Sequence, residues 1–382
     1  MKQQLFISFL NFLNILVLTN QKGEEQTTLS TNEDGGVSNT NNTDVSYDDY
    51  GFAPCQLSVP GLNSLCLMVV YIIVFVFSIV GNSVVMFVVC TMKKNRTSTD
   101  IYLMHLAMAD FLFCLTLPFY AADSHFGWIF GNFLCKLLSG FQEVSVYSGV
   151  FLLACISVDR YFAIVRATRR LFSHHMLVKV ICGVVWLVAG VLSLPVAIKK
   201  EKIYADDLGI DICYENITGE SSERWRISIR VLRHTVGFFL PLVVMAVCYS
   251  WTVVTLFHTR NHRKYKVMRV ILTVVLAFFI CWLPHNVSVL IDTLMRGGSL
   301  PEGSCETRYS VEMMLEVTQV LAFMHCGVNP VLYAFIGEKF RNQLLLALYK
   351  HGLISKRVWV SCRKGSLNST ASVKSRNTSV SM

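Results

Sequence analysis

Long apolar runs alternate along this chain with short polar stretches, and most runs exceed what a buried helix of a soluble domain needs. Seven of them, near 66–92, 101–122, 133–164, 178–198, 228–257, 267–294 and 312–336, have the length that crosses a bilayer, roughly 20 residues at about 1.5 Å each. The pattern predicts an all-α membrane protein, a bundle of seven transmembrane helices. Three regions follow: an N-terminal tail (1–65), the bundle (66–336), and a C-terminal part (337–382) with a short amphipathic eighth helix and a Ser/Thr-rich tail. A further apolar run, "QLFISFLNFLNILVL" at 4–18, follows Lys2 and reads as a candidate signal peptide within 1–19. Asn11 and Asn14 interrupt it, and its cleavage stays open.

Composition agrees: 53% of residues are hydrophobic and 15% charged, against about 25% charged in soluble domains. The charges are also sorted. Glu24, Glu25, Glu33, Asp34, Asp44, Asp48 and Asp49 precede the first span, with Lys22 as the base of that stretch. Lys93, Lys94, Arg96, Arg166, Arg169, Arg170, Lys179, Arg260, Arg263, Lys264, Lys266 and Arg269 cluster in the loops of the other side. Bases mark the cytoplasm, so the expected orientation is N-terminus out and C-terminus in. The net charge of +9 then belongs to the inner face and suits anionic lipid, not nucleic acid.

Several polar residues lie within the apolar runs. Asp110 in "LAMADFLF", Asn82 in the first run and Asn329 in "VNPVLYAF" predict an internal hydrated network linking three helices, since a carboxylate at membrane depth faces the bundle interior. Five of the eight prolines (Pro118, Pro195, Pro241, Pro284, Pro330) also sit in these runs, where each removes a backbone hydrogen bond. "CWLP" (281–284) sets the Trp282 indole beside such a kink. At the end of the third run, Asp159 and Arg160 stand side by side. Arg160 follows Cys135 by 25 residues, roughly 37 Å of helix, so the two mark opposite faces. Four cysteines, Cys55, Cys135, Cys213 and Cys305, fall on the outer side, an even number that suggests two disulfides with three pairings open. The other membrane cysteines read as small hydrophobes. No HExxH, GxSxG, P-loop or paired-carboxylate pattern is present, so nothing points to an enzyme or a cofactor. His325 reads as a core histidine, with no metal-ligand spacing around it.

The chain resembles the rhodopsin-like G-protein-coupled receptors through "GN" (81–82), "LAMAD" (106–110), Cys135, "DRY" (159–161), Trp186, Pro241 with Tyr249, "CWLP" (281–284) and "NPVLY" (329–333). Narrower features are similar to the chemokine receptors: "TLP" (116–118), "WIFG" (128–131) and "DRYFAIVRA" (159–167). "RWRISIRVLRH" (224–234), "DTLMR" (292–296), "CETR" (305–308) and "YAFIGEKFRN" (333–342) resemble the CXC type, in particular the interleukin-8 receptors.

The resemblance implies a plasma-membrane receptor for CXC chemokines, coupled to a heterotrimeric G protein of the inhibitory class and serving leukocyte chemotaxis. It implies the pairings Cys135–Cys213 and Cys55–Cys305. Ligand contacts are expected from the acidic tail (Tyr47, Asp48, Asp49 and Tyr50, the tyrosines in a sulfation context), Trp128, Arg226, Arg230, Asp292, Glu306, Glu312, Glu316 and Gln319. Coupling is expected through Asp110, Asp159, Arg160, Tyr161, Tyr249, Trp282, Pro284, Asn329, Pro330 and Tyr333. Asn41 and Asn216 are candidate glycosylation sites, and the hydroxyls of 366–382 are suited to receptor kinases and arrestin.

Some positions depart from the family pattern. Gln319 stands where a glutamate is usual, with Glu316 three residues before it on the same helix face. Lys264 replaces the acid that restrains Arg160 in some relatives, leaving that role to Asp159. A sodium ion beside Asp110 is a candidate that Gly149 and His325 count against. The alternatives are another chemokine or peptide G-protein-coupled receptor, a chemokine scavenger, and a seven-span transporter using Asp110 as an ion relay, for which the expected internal repeats are lacking.

Overall fold

A computed structural model of the chain describes residues 64–91, 97–165, 175–205, 209–215, 222–259, 262–296, 300, 305–336, 338–357 and 359. The expectations for Asn41, Tyr47, Asp48, Asp49, Tyr50, Cys55 and Asn216 lie outside the described residues.

Seven helices among the described residues are long and apolar enough to cross a membrane: Ser64–Thr91, Ser98–Phe126, Gly131–Ile164, Met176–Lys199, Trp225–Leu256, Met268–Arg296 and Cys305–Ala334. They are numbered here as spans 1 to 7. The bundle is therefore that of a multi-pass membrane protein, as the apolar pattern predicts. The largest boundary difference is at span 7, which starts at Cys305 and not near 312. Its first two turns, "CETRYSV", are polar, so hydropathy reads only the part that follows. Glu338–Lys350 forms the eighth helix.

Spans 2 and 3 are the centre of the bundle, each 56% buried in its most apolar stretch against 22% for span 1. Span 3 packs on spans 2, 4, 5 and 6. Its inward residues, among them Val150, Leu152, Leu153 and Ile156, are essentially inaccessible. Large apolar side chains elsewhere point away from the bundle, including Phe77, Phe133, Leu187, Trp251 and Ile280. Such a belt is what a lipid-facing surface requires, because lipid is as apolar as the side chains themselves.

Between spans 4 and 5 an antiparallel hairpin, β1 (Lys200–Ala205) and β2 (Ile210–Glu215), pairs Lys200 with Glu215 through to Ala205 with Ile210. Apolar runs do not reveal this hairpin, although "KIYA" and "IDICYE" around a glycine carry a hairpin signal. Gly209 supplies the positive φ of the turn at 65°. The Cys135–Cys213 disulfide joins β2 to the start of span 3, the pairing implied by resemblance. Ion pairs Lys136–Glu201 and Lys202–Asp211, both 2.8 Å, brace the same unit. Trp128 N–H donates to the Asp211 carbonyl at 2.7 Å, and a side chain on Gly127 would meet that same oxygen.

The prolines explain several polar residues. Pro330 has no N–H for the carbonyl of Cys326, four residues earlier. The side-chain amide of Asn82 supplies the missing donor, at 2.8 Å, and also reaches the Ser78 carbonyl of its own helix at 3.0 Å. Gly81 permits the approach, since a Cβ there would sit 2.8 Å from Pro330 Cβ. In span 2 the helix ends at Cys114 and restarts at Leu117, with Pro118 in its first turn. There the buried Thr116 hydroxyl donates to the Phe113 carbonyl at 2.7 Å. Upstream of Pro241, residues Thr235–Phe239 wind into a π-helical turn.

Asn82→Ala leaves the Cys326 carbonyl without a donor at membrane depth. The expected cost is about 1–3 kcal/mol, read as a lowered thermal midpoint of the detergent-solubilised protein. An unchanged midpoint would mean that the amide does not support the span 7 kink.

Candidate functional site

The hairpin end of the bundle is lined by charge. On span 5, Arg226, Arg230 and Arg233 recur at helical spacing and face the interior from one side. Arg230 donates to Asp292 of span 6 at 2.5 Å, and Arg296, one turn further, donates to the same carboxylate at 3.0 Å. Asp292 is buried, so one anion holds two cations and fixes spans 5 and 6 at the rim. Arg226 lies over the Tyr214 ring, 5.7 Å from its centroid, with Lys200 at 5.9 Å. Burial pushes the Lys200 ammonium below its ordinary value, while Glu215 and Glu143 pull it upward.

The carboxylates of span 7 divide between two neighbourhoods. Glu312 lies within electrostatic reach of Arg308, Arg296 and Asp292. Gln319 instead hydrogen-bonds Tyr71 of span 1, and Glu316 lies within electrostatic reach of both Tyr71 and Glu312. Glu306 is exposed in the first turn. The expected set is therefore brought to one end but does not converge on one point. Trp128 departs further from expectation. It is wholly buried with Cys135 and Leu138, and its indole N–H donates to the Gly131 carbonyl at 2.8 Å. Its large apolar ring packs between the start of span 3 and the hairpin, so it braces the rim and presents no accessible surface.

One buried pair is not among the residues expected from the sequence. Glu143 of span 3, 5% exposed, accepts from Arg233 of span 5 at 2.8 Å. Glu143 is a carboxylate within an apolar run, the same signal that singled out Asp110. Beside the pair, His234 Nδ1 lies 2.9 Å from Asn286 Oδ1, and the Asn286 amide donates to the Trp282 carbonyl at 2.9 Å. That bond serves the backbone of span 6 next to Pro284. The Gly237 position is closed by Tyr147, whose ring carbon is 2.6 Å from where a Cβ would be.

Deeper, Trp282 stacks on Phe278 (centroids 6.0 Å, 29°) and meets His325 edge-on at 5.3 Å. His325 is buried, as expected of a core histidine, with Nδ1 2.6 Å from the Ala322 carbonyl. Its Nε2 faces Asp110 Oδ1 at 3.7 Å, and Asn329 donates to Asp110 Oδ2 at 2.8 Å. Asn82 is joined to this centre through Cys326, not through Asp110 itself. The donor set does not fit sodium. Gly149 brings no oxygen, a side chain there would meet only Leu106, and the flanking positions on span 7 carry an imidazole and the Cys326 thiol, which turns to the Phe323 carbonyl.

At the opposite end, Asp159 is buried and pairs with Arg160 through both the Nε and an Nη of the guanidinium. Tyr249 of span 5 lies within electrostatic reach of Arg160, and Tyr333 of span 7 is buried against Phe340 of the eighth helix. Tyr161 packs edge-on with Phe162. The side chain of Lys264 lies outside the described ones, while Arg269 and Lys179 are exposed.

Residues 81–333 match the family described as "7 transmembrane receptor (rhodopsin family)". The chain is 45% identical over 323 residues to C-X-C chemokine receptor type 1 of Homo sapiens, covering 85% of this chain and 91% of that protein. It is 46% identical over 304 residues to C-X-C chemokine receptor type 2 of Homo sapiens (80% and 84% covered), and 46% identical over 308 residues to type 1 of Macaca mulatta (81% and 87%).

Asp292→Asn removes the anion shared by Arg230 and Arg296. The expected loss is about 1–3 kcal/mol, less than for a fully buried pair because both guanidiniums remain 23% exposed. Thermal unfolding in low salt measures it. A midpoint equal to that of the parent protein would show that the cluster does not tie spans 5 and 6 together.

Proposed function

This chain belongs to the rhodopsin family of seven-transmembrane receptors and, within it, to the C-X-C chemokine receptors; on that premise we propose that it is a cell-surface receptor for interleukin-8-like CXC chemokines that activates a heterotrimeric G protein. The observation that carries the proposal is the separation of two charged ends on one central helix. Ligand-facing charge gathers at the hairpin end of spans 5, 6 and 7, and the Asp159–Arg160 pair closes the far end of span 3. Proline-broken helices and the Trp282–His325–Asp110 contacts lie between them.

In this reading the chain sits in the plasma membrane with its N-terminus and hairpin outside. The acidic tail, with sulfated Tyr47 and Tyr50 beside Asp48 and Asp49, attracts a basic chemokine. The ligand's own N-terminus then enters among Arg226, Arg230, Asp292, Glu312, Glu316 and Gln319, with Glu306 at the edge. Cys305 carries a disulfide, and its proposed partner is Cys55, which brings the tail to the rim of span 7. Binding shifts an existing equilibrium toward an inner face that is open. Arg160 leaves Asp159 and meets the carboxyl-terminal helix of an inhibitory-class G protein, with Tyr161, Tyr249, Asn329, Pro330 and Tyr333 repacking around it. Kinases and arrestin act on the hydroxyls of the C-terminal tail. The direct test is nucleotide exchange on purified G proteins against a panel of CXC chemokines. Absence of exchange with every chemokine would overturn the assignment.

Arg160→Ala should abolish nucleotide exchange while ligand affinity stays within a few-fold, because the pocket lies at the other end of span 3. Normal exchange by a well-expressed variant would remove Arg160 from the coupling mechanism.

Tyr47→Phe with Tyr50→Phe should lower chemokine affinity through slower association, most strongly at low salt. The Debye length shrinks from about 10 Å at 0.1 M to about 3 Å at 1 M, so tail steering fades across that range. Association rates measured over a salt series decide this, and rates equal to the parent's at low salt would exclude the tail.

A further inference from the structure

The Glu143–Arg233 pair leaves something over. One carboxylate oxygen of Glu143 accepts from Arg233, and the other, Oε2, is buried with no hydrogen-bond partner among the described residues. The indole N–H of Trp282, 4% exposed, is likewise without a partner among them. Both side chains line the same small cavity, with Tyr147, Arg233, Phe278 and Asn286. Its volume is about 20 Å³, above the ~10–15 Å³ that holds one water. An acceptor and a donor, each costly to leave unpaired, thus face a space of one small molecule's size.

The chemistry narrows the occupant. A second anion finds Arg233 already paired and has no proton to give Glu143 Oε2. An ammonium satisfies Glu143 but offers nothing for the indole N–H to donate to. A neutral O–H group does both: its hydrogen goes to Glu143 Oε2, and its oxygen accepts from Trp282 Nε1. We propose that this cavity is a binding site for one O–H group, a water or a ligand hydroxyl, that bridges Glu143 to Trp282. The bridge links spans 3, 5 and 6 one turn of span 5 beyond the Arg230–Asp292 contact. It continues through Trp282 to His325 and Asp110. The π-helical turn Thr235–Phe239 begins two residues after Arg233, so a shift of span 5 at the rim changes the ion pair and the bridge together. The site stands on the geometry alone; its part in signalling rests on the receptor reading above.

The test is a double-mutant cycle on the full-length, solubilised protein with Glu143→Leu, Trp282→Phe and both. Trp282→Phe removes the N–H and keeps an aromatic ring. The cycle is repeated in an Arg233→Met background, so that loss of the ion pair is not mistaken for loss of the bridge, and with Glu143→Gln, which keeps an acceptor should Glu143→Leu fail to fold. Thermal midpoints without ligand form one arm, and exchange stimulated by an activating CXC chemokine forms the other. If water is resident, the ligand-free losses with Glu143→Leu are non-additive: Trp282→Phe costs little once Glu143→Leu is in place, whether or not Arg233→Met is also present, and costs as much with Glu143→Gln as in the parent, because the amide oxygen still accepts. Coupling confined to the chemokine arm means that the ligand supplies the hydroxyl. Additive losses in both arms overturn the site. A chemokine panel that fails on the parent protein overturns the receptor reading instead, and the ligand-free arm still decides the site.

Discussion

The structure depends on one constraint: inside a membrane-type bundle, every backbone carbonyl freed by a proline must find its donor within the protein. Span 7 shows how demanding this is. Pro330 withdraws its donor from the Cys326 carbonyl, and the replacement comes from Asn82, a residue of span 1. To deliver it, span 1 must come close enough that only glycine fits at position 81. One missing hydrogen bond therefore fixes the distance and rotation of two helices at opposite ends of the chain.

Where span 7 is thus held, its polar side chains face the carboxylate of span 2. Asn329 and His325 approach Asp110 from the same helix that Asn82 grips, and His325 is packed in turn against Phe113, Phe278 and Trp282. Aromatic rings and a few charge-assisted bonds fill the space between the rim and the Asp159–Arg160 pair. Close packing of this kind passes on displacement, because interdigitated side chains have little room to absorb it locally. A ligand that moves span 5 or span 6 at the rim therefore acts on groups that bear on Trp282.

The rim itself is built from two kinds of contact. The Cys135–Cys213 bond and the buried Trp128 set the hairpin over span 3, and this part is rigid. The ion pairs of Arg230, Arg296 and Asp292 are partly solvated, which makes them exchangeable with a charged ligand segment.

Much of this was legible in the residues before any coordinates. Apolar run length determined the seven spans, because a bilayer demands a minimum length of helix whatever its neighbours are. The cost of burying charge and amide marked Asp110, Asn82 and Asn329 as interior groups, and the order of short motifs carried the family. Hydropathy could not show the polar start of span 7 or the hairpin, which owe their place to a disulfide and to strand pairing. Nor could it show that Trp128 turns inward, that Gln319 hydrogen-bonds Tyr71 while Glu312 faces the Arg296–Asp292 cluster, or that Glu143 meets Arg233. Periodicity along a helix is local information and says which residues share a face. Which face meets which is decided by the lateral order and rotation of the helices, and those arise only when all seven pack together.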